Sequence, residues 1–273
     1  GSSFNRSINY TIMNTIIENS KEINKHQLRS QIKQMYKKVA EQPGGNYHFQ
    51  TGRALAEQLG YDKTLLDQIP APSVESFAGV GYYFDLAQLK PGESVVDLGS
   101  GSGMDVFYAA LQVGRHGSVT GLDMTREQYE KSTKLKVAGG FRQTKFAMGY
   151  IEKIPLESNS IDVVISNGVI NLSSEKSRVF REISRILKPQ GRLVIADIMS
   201  KKSFTPEITC NPTLWAACVA GAIRTDLYFE LIRNVGMQVE IVKDNAYSFI
   251  SERALGATRN YGIQSISLSA RKV

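Results

Sequence analysis

A glycine-rich turn and an acidic residue after the next strand carry the strongest chemical signal in the sequence. Gly99, Gly101 and Gly103 follow a predicted strand over 94–98 and precede a predicted helix. Glycine is needed there because the backbone must turn tightly and a ligand must approach it without a Cβ in the way. Asp123 ends the next predicted strand, twenty residues after Gly103, where its carboxylate can accept hydrogen bonds from both hydroxyls of a ribose. The turn and Asp123 together predict a nucleoside-containing cofactor across the carboxyl ends of the strands.

The charge beside the turn distinguishes two kinds of cofactor. Dinucleotide-binding turns have the spacing Gly-x-Gly-x-x-Gly and place a pyrophosphate on the helix N-terminus, whereas the spacing around Ser100 is Gly-x-Gly-x-Gly. Asp97, inside the strand, would repel a pyrophosphate but would attract the sulfonium and ammonium groups of S-adenosylmethionine. A purely structural glycine turn is the alternative, but the strand, the helix and Asp123 in register favour S-adenosylmethionine as the cofactor.

Two further loops follow predicted strands and reach the same edge of the sheet. The first loop spans 149–155 and the second spans 166–172. In the first, Ile151 can pack on an adenine face while polar groups beside it meet the ring edge. In the second, Asn167 directly follows an apolar strand, as a site residue should. The predicted cofactor contacts in the two loops are Tyr150, Ile151, Glu152, Asn167 and Val169.

Strands and helices alternate over most of the chain, and this alternation predicts an α/β fold. The predicted strands are 94–98, 118–123, 144–148, 161–166, 192–198, 238–243 and 263–270. Strands separated by helices pair in parallel, with the helices covering both faces of the sheet. We therefore expect a Rossmann-like, seven-stranded, mostly parallel sheet with helices on both faces, plus an N-terminal helical lid.

The N-terminal part of the sequence has a helical pattern of its own. Apolar residues recur at helical spacing at Ile8, Ile12 and Ile16 and again over 28–39. The run Pro43-Gly44-Gly45 ends the second helix and is a plausible hinge, so residues 1–50 are predicted to form a mobile lid. We expect residues 1–90 to form the helical lid and substrate-side segment, and residues 91–273 to form the Rossmann-like domain.

Composition narrows the class of protein. The chain has 273 residues, of which 42% are hydrophobic and 22% charged, which disfavours disorder, and its two cysteines cannot form a disulfide scaffold. It lacks an apolar run of membrane-spanning length and a signal pattern, which predicts a cytoplasmic protein without a membrane partner. The net charge of +7 is scattered rather than clustered with aromatics, which disfavours nucleic acid as a partner and leaves a small-molecule substrate. Nothing in the sequence indicates the oligomeric state.

These motifs resemble those of class I S-adenosylmethionine-dependent methyltransferases, and most of all those of the arsenite methyltransferase family. The segments that carry the resemblance are VVDLGSGSGMDVF, TGLDMTREQ, GYIEKIP, DVVISNGVINLSSEK, REISRILKPQGRLVIADI and LWAACVAGA. The family resemblance implies cofactor contacts at Tyr36, Gly99, Gly101, Asp123, Met124, Ile151, Glu152 and Asn167.

The resemblance breaks down at the residues that would hold arsenic. Arsenite methyltransferases bind As(III) through cysteine thiolates, because a soft metalloid prefers soft sulfur ligands. Family resemblance places one cysteine in the loop before the first strand, one after the Ser-Asn of the fourth strand and one after the fifth. This sequence has no cysteine in 76–81 and has Gly168 at the second position; Cys218 matches the third, and Cys210 has no counterpart. We therefore expect a methyltransferase that acts on the O, N, S or C atom of a small organic molecule.

Two alternatives stay open beside the organic acceptor. The first is methylation of arsenite or another metalloid with Cys218, Cys210 and an external thiol as ligands, and the second is a protein that binds the cofactor without transferring methyl. Aromatic residues of the sequence could line an organic acceptor's cavity or could simply be core. These residues are Phe77, Tyr82, Tyr83, Phe84 and Trp215.

A neutral hydroxyl or carbon acid needs a general base as well as the methyl donor. His48, which follows the glycine stop of the second helix, is the first candidate, with Tyr36 and Tyr83 as the others. A lone histidine is more often structural than catalytic. No His/Asp/Glu cluster in the sequence indicates a catalytic metal.

Overall fold

The computed structural model of the protein describes residues 24–209, 211, 215 and 219–273. The predicted stripe at Ile8, Ile12 and Ile16 lies outside the described residues, as do both cysteines, Cys210 and Cys218.

The core of the structure is a seven-stranded sheet in the order β3-β2-β1-β4-β5-β7-β6. Its strands are β1 Ser94–Leu98, β2 Ser118–Asp123, β3 Thr144–Met148, β4 Ile161–Asn167, β5 Leu187–Met199, β6 Met237–Asp244 and β7 Gln264–Lys272. The first five strands pair in parallel, and β7 is antiparallel to both β5 and β6. The predicted Rossmann-like, mostly parallel sheet is confirmed.

Helices flank the sheet on both faces. They are α1 Lys25–Glu41, α2 Arg53–Leu59, α3 Lys63–Leu66, α4 Ala71–Glu75, α5 Phe84–Ala87, α6 Met104–Val113, α7 Arg126–Gly139, α8 Lys176–Ile186, α9 Pro206–Thr209, α10 Thr225–Arg233 and α11 Glu252–Tyr261. Side chains alternate between the two faces of a strand. Val95 accordingly joins one buried apolar cluster, with residues of α1, α6 and α7, while Val96 joins a second cluster, with residues of α8 and α10.

The N-terminal helices share a core with the sheet. Leu28 and Ile32 of α1 and Leu55 of α2 belong to the same apolar cluster as Val95 and Phe107. Asn24 caps α1 because its side-chain oxygen accepts hydrogen bonds from the backbone N–H groups of the first turn. The boundary between residues 1–90 and 91–273 stays a prediction.

Several elements go beyond the sequence-based expectation. Residues 61–90 contain three short helices, α3, α4 and α5, and β5 begins at Leu187 instead of the predicted 192. Helix α11 was missed because Gly256 interrupts its apolar pattern. Its end signals are nevertheless in the sequence: the Ser251 hydroxyl accepts the Ala254 N–H at 3.2 Å, and Gly262 closes the helix with φ of 65°.

Candidate active site

The carboxyl ends of β1, β2 and β4 open into one cavity. The strand order reverses between β1 and β4, and ligands of open α/β sheets bind at such a switch point. The cavity holds about 1090 Å³ of space, counting its mouth open to solvent. The residues that line it from the sheet side are Asp97, Gly99, Ser100, Gly101, Ser102, Met104, Asp105, Leu122, Asp123, Met124, Thr125, Asn167, Gly168 and Val169.

The glycine turn is shaped by its backbone conformation. Gly99 and Gly101 have φ of 73° and 55°, in the region that favours glycine. The N–H groups of Gly99 and Ser100 donate to the Leu122 carbonyl at 2.7 and 3.0 Å, which ties the turn to β2. A Cβ on Gly99 would overlap the Val169 methyls, whereas the nearest atom to one on Gly101 is Oε1 of Gln128 at 3.8 Å, an ordinary van der Waals contact. Gly101 therefore forms the part of the turn that leaves room for a ligand.

Gly103 differs from the other predicted cofactor residues because it does not line the cavity. It is the N-cap of α6, with φ of 98°, and a Cβ there would lie 2.9 Å from the Phe146 ring. Its position favours close packing of α6 on the sheet, and a direct contact of Gly103 with the cofactor stays a prediction.

Asp123 is half-buried at the end of β2, and its carboxylate organises the turn. Its Oδ2 accepts the Gly101 N–H at 2.8 Å and its Oδ1 accepts the Thr125 N–H at 2.8 Å. Burial raises its pKa, and the two backbone hydrogen bonds oppose that rise. Each carboxylate oxygen has a second lone pair, so Asp123 can still accept the hydroxyls of a ribose.

A second pair of carboxylates lies deeper in the cavity. Asp97 is 2% exposed, and burial followed by the charges of Asp105 and Asp123 raises its pKa well above the ordinary value. Asp105 accepts the hydroxyls of Tyr61 at 2.7 Å and Tyr83 at 2.6 Å. Burial also raises the pKa of Asp105, but these hydrogen bonds oppose the rise. A cavity with such a floor suits a cationic ligand.

Asn167 lies on the cavity wall with its amide already engaged. Its Oδ1 accepts the Val80 N–H at 2.8 Å, and its Nδ2 donates to the Gly81 carbonyl at 2.9 Å and to Asp105 at 3.3 Å. The side chain thus fixes the loop before β1 against the sheet. Contact with the cofactor at Asn167 stays a prediction.

Helix α1 and the loop after β3 form the opposite wall. Arg29, Ile32 and Tyr36 line the cavity from α1. The Arg29 guanidinium lies 4.5 Å from the centre of the Tyr150 ring and 3.7 Å from Glu152. The wall continues with Ile151 and with Ser173, whose hydroxyl donates to Glu152 at 2.7 Å. All the predicted cofactor residues except Gly103 therefore lie around one cavity.

The structure does not support two of the three predicted bases. His48 does not line the cavity, and its carbonyl accepts the Ile250 N–H at 3.3 Å. Tyr83 is fully buried and donates its hydroxyl to Asp105, and burial and that carboxylate raise its pKa well above the ordinary value, which disfavours a phenolate base. Tyr36 lines the cavity and stays a candidate.

Most of the predicted aromatic lining is core instead. Phe77 lines the cavity, but Tyr82 packs edge-to-face on Tyr61 with ring centres 4.9 Å apart. Phe84 packs on Tyr108 at 4.7 Å. Trp215 is 4% exposed and donates its indole N–H to the Thr209 carbonyl at 2.6 Å.

Sequence reasoning missed several polar groups that line the cavity. Asp105 stands two positions after Gly103, so it could have been noticed as an acid in the first turn of α6. Gln128 is buried on the inner side of α7, where its Oε1 accepts the Ser102 hydroxyl and its Nε2 donates to the Tyr36 carbonyl at 2.8 Å. The buried residues of α7 are both polar, Gln128 and Ser132, so the sequence of this helix offered no signal that singled out Gln128.

Neither a metal site nor a membrane span is found among the described residues. No three His, Cys, Asp or Glu side chains in that part of the chain are placed to hold a metal ion. Within it, none of the helices has the length and apolar character needed to cross a membrane.

The strand order, the glycine turn and the acid at the end of β2 define a class I S-adenosylmethionine-dependent methyltransferase domain, and the cofactor is S-adenosylmethionine. Residues 89–252 match the family described as methyltransferase domain, and the chain belongs to that family. The residues present fit the cofactor: Gly101 lines the cavity with no protein atom closer than 3.8 Å to its Cβ position, and Asp97 and Asp123 line the same cavity.

Arsenite methyltransferases are among the relatives of this chain. The one from Halobacterium salinarum is 36% identical over 233 residues, covering 84% of this chain and 59% of the relative. The one from Aquipseudomonas alcaligenes is 36% identical over 207 residues, covering 71% of this chain and 57% of the relative. The chain thus spans less than three fifths of the length of these two curated relatives.

A solved structure shows the same relationship. An arsenic(III) S-adenosylmethionine methyltransferase from Chlamydomonas reinhardtii matches with a TM-score of 0.64 and 30% identity, covering 77% of this chain and 72% of that chain. A geranyl diphosphate methyltransferase in complex with sinefungin matches with a TM-score of 0.63 but 16% identity, over 90% of this chain and 100% of that one, which shows the fold alone.

Proposed function

We propose that the protein transfers a methyl group from S-adenosylmethionine to a small organic molecule, at an O, N, S or C atom. One contact carries the proposal. The segment 76–81 and the position of Gly168, where the resemblance implies two arsenic-binding cysteines, meet in space: a Cβ built on Gly168 would lie 3.2 Å from Cγ1 of Val80. The segment 76–81 meets Gly168 through Val80, and neither glycine nor valine offers a soft ion a ligand.

The rest of the acceptor side of the cavity fits an organic molecule. Phe77, Leu172 and Ile32 contribute apolar surface. Ser73 and Ser76 also line the cavity, with hydroxyls that already donate to the Pro70 and Val39 carbonyls. Apolar walls with a few polar groups are the usual lining of small-molecule sites. The cytoplasm, predicted from the sequence as the place of the reaction, is part of this proposal.

The residues of this chain bind and orient the two reactants. The bound cofactor supplies a methyl group already activated on its sulfonium sulfur. We assign ribose binding to Asp123 and the cationic end of the cofactor to Asp97, while α1 covers the mouth of the cavity and limits access of water. Holding donor and acceptor in line accounts for most of the catalysis that such a displacement needs.

The test is transfer of a labelled methyl group. Purified protein is incubated with methyl-labelled S-adenosylmethionine and fractions of a metabolite extract, with the Gly101→Val variant as a control that blocks the cavity. We expect a labelled organic product with the unsubstituted protein and none with the variant. Tight binding of the cofactor with no labelled product in any fraction would overturn methyl transfer in favour of a cofactor-binding protein.

Methylation of arsenite is the second candidate, and the identity to arsenite methyltransferases favours it. The resemblance implies three cysteine thiolates as ligands of As(III), and only Cys218 stands at a matching position in the sequence. We expect no methylated arsenic above background with arsenite and glutathione, and full activity of a Cys210→Ser, Cys218→Ser double variant on the true acceptor. Methylated arsenic at turnover rates, lost on Cys218→Ser, would replace the first proposal by the second.

A gain-of-function variant tests the same argument from the other side. Val80→Cys combined with Gly168→Cys places two thiols at the observed contact. The loss of one Val80 methyl makes room for the new Cβ, and the φ of 70° at Gly168 adds about 1–2 kcal/mol of strain to every variant that carries Gly168→Cys. We expect the double variant to bind As(III) more tightly than either single variant. Equal As(III) binding by the double variant and the unsubstituted protein would show that this contact is not the ligand position.

A further inference from the structure

The cavity contains a cluster of three carboxylates, Asp97, Asp105 and Asp123, which differ in their hydrogen bonds. Asp105 accepts three hydrogen bonds, from Tyr61, Tyr83 and Asn167. Asp123 accepts two backbone N–H groups. Asp97 is 2% exposed, and in the described part of the chain no group donates a hydrogen bond to its carboxylate. The Asp97 carboxylate faces the cavity, and a carboxylate with so little exposure and no protein donor is costly in its ionised form.

The positive charge facing this cluster is small. Among the described residues that line the cavity, Arg29 is the one cation. It lies on the opposite wall, 3.7 Å from Glu152 and 3.7 Å from Glu175, so its charge is already shared by two other carboxylates. The tyrosines that face Asp105 are neutral, because burial and the Asp105 charge raise their pKa values well above the ordinary value.

Three carboxylates that share one cavity with a single cation, which two other carboxylates already engage, cannot all be ionised at little cost. The two that receive hydrogen bonds hold their negative charge more easily than the one that receives none. Asp97 is therefore the member of the cluster that keeps a proton when the cavity contains only solvent.

We propose that the cluster senses the charge of the bound cofactor: Asp97 is protonated in the ligand-free protein and loses its proton when the cationic methyl donor binds. The inference rests on the proposed function, because it concerns the same cavity. The O–H bond of the Asp97 carboxyl breaks, its electron pair stays on the carboxylate and the proton passes to solvent. The demethylated thioether product has one positive charge less than the donor. Its binding therefore releases the Asp97 proton from a smaller fraction of the protein molecules, and the product is bound less tightly than the donor.

The pH dependence follows from this linkage. A ligand that binds best to the ionised form of Asp97 gains affinity as the pH rises towards the pKa of the ligand-free protein, by at most about tenfold per pH unit for one proton. As the pH falls, the affinity for the donor falls more steeply than that for the product. The ratio of donor to product affinity therefore rises with pH.

Calorimetry measures the released proton directly. We would titrate the protein with S-adenosylmethionine, with sinefungin, which has an amine in place of the methylsulfonium, and with S-adenosylhomocysteine. Each titration is done in two buffers of different ionisation enthalpy between pH 5.5 and 7, below the usual α-amino pKa of about 7.7–8.0. We expect the two cationic ligands to release more protons than S-adenosylhomocysteine.

An Asp97→Asn variant is expected to abolish the difference between the ligands and to flatten the pH dependence of donor affinity. The matched control is Asp162→Asn, at the amino end of β4, where the carboxylate accepts the Ser94 N–H at 2.8 Å. The Asp162→Asn variant is expected to keep the difference in proton release between the ligands. If Asp97→Asn does not fold, the three titrations of the unsubstituted protein still test the proposal, because they compare proton release by the cationic ligands with that by S-adenosylhomocysteine.

Equal proton release by donor and product, or none by either, would overturn the inference while leaving cofactor binding intact. Failure of the proposed function would look different, as absence of donor binding or as binding without methyl transfer.

Discussion

Substitution of Gly101 by valine separates the cost of distorting the turn from the cost of filling the cavity. Gly101 has φ of 55°, and the nearest protein atom to a Cβ built on it is Oε1 of Gln128, at 3.8 Å. The Cβ of valine would therefore meet no protein atom closer than 3.8 Å, and the main cost to folding is the left-handed backbone, about 1–2 kcal/mol. Its methyl groups would occupy the space that the glycine turn leaves for the cofactor.

Gly140→Val is the matched control. Gly140 ends α7 with φ of 70°, nothing lies within 4 Å of a Cβ built there, and the residue does not line the cavity. The same backbone strain applies, so its cost to stability should again be about 1–2 kcal/mol. Gly99 is unsuitable as a comparison, because a Cβ there would overlap Val169 and mix packing with binding.

The assay combines urea unfolding with calorimetry of S-adenosylhomocysteine binding. We expect both valine variants to lose similar stability, and only Gly101→Val to lose affinity, by about 100-fold or more, which is about 2.7 kcal/mol. Binding by Gly101→Val within tenfold of the unsubstituted protein would refute the placement of the cofactor at this turn. So would an equal loss of affinity in Gly140→Val.

Three further predictions test the ribose contact, the lid and a buried lysine. Asp123→Ala should weaken S-adenosylmethionine binding by about 1–3 kcal/mol, because the ribose hydroxyls lose their acceptor. Calorimetry should show unchanged affinity for the control variant Asp162→Ala. Unchanged affinity for both variants would contradict the assignment of Asp123 to the ribose. Proteolysis between Gly44 and Gly45 should be faster without cofactor than with it, and equal rates would count against a lid. Burial lowers the pKa of Lys176 from 10.5 to about 7, so between these pH values the unfolded chain binds more protons than the folded one and the free energy of unfolding should rise with pH. Urea unfolding at pH 7 and 9.5 should show a smaller rise for Lys176→Met than for the unsubstituted protein. An equal rise in both proteins would contradict the prediction.

Features that depend on neighbours in sequence could be predicted from the sequence. The strand, the glycine turn and the following helix lie within twenty residues, and the β1, β2 and β3 boundaries match the expected ones. Asp97 was also recognised, because its charge beside the turn is enough to distinguish two kinds of cofactor. These predictions needed only local backbone chemistry and the edge at which parallel strands end.

Features that depend on distant residues could not be predicted. Asp105 is recognisable as a site residue only once Tyr61 and Tyr83, 44 and 22 positions away, donate to it. The same hydrogen bond shows why Tyr83 is a poor base. His48 was chosen for its residue type, and residue type alone says nothing about the direction of a side chain. Tertiary contacts decide both cases.

The basic residues of α1 connect the composition of the chain to its cavity. Lys25, Arg29, Lys33 and Lys37 recur every four residues and so lie on one side of the helix. Their partners on the cavity rim and on α7 are Glu175 for Lys25, Glu152 and Glu175 for Arg29, Tyr150 for Lys33 and Glu127 for Lys37.

Single exposed ion pairs of this kind contribute at most about 1 kcal/mol each, and salt weakens them. The buried side of α1, with Leu28 and Ile32, adds apolar contact to the same core as the sheet. A helix held by several weak polar contacts over a carboxylate-lined cavity suits an element that opens for cofactor exchange and closes over the cationic donor. The basic side of α1 is thus engaged by acids and by Tyr150, not arranged as a nucleic-acid-binding pattern, and opening of the lid stays a prediction.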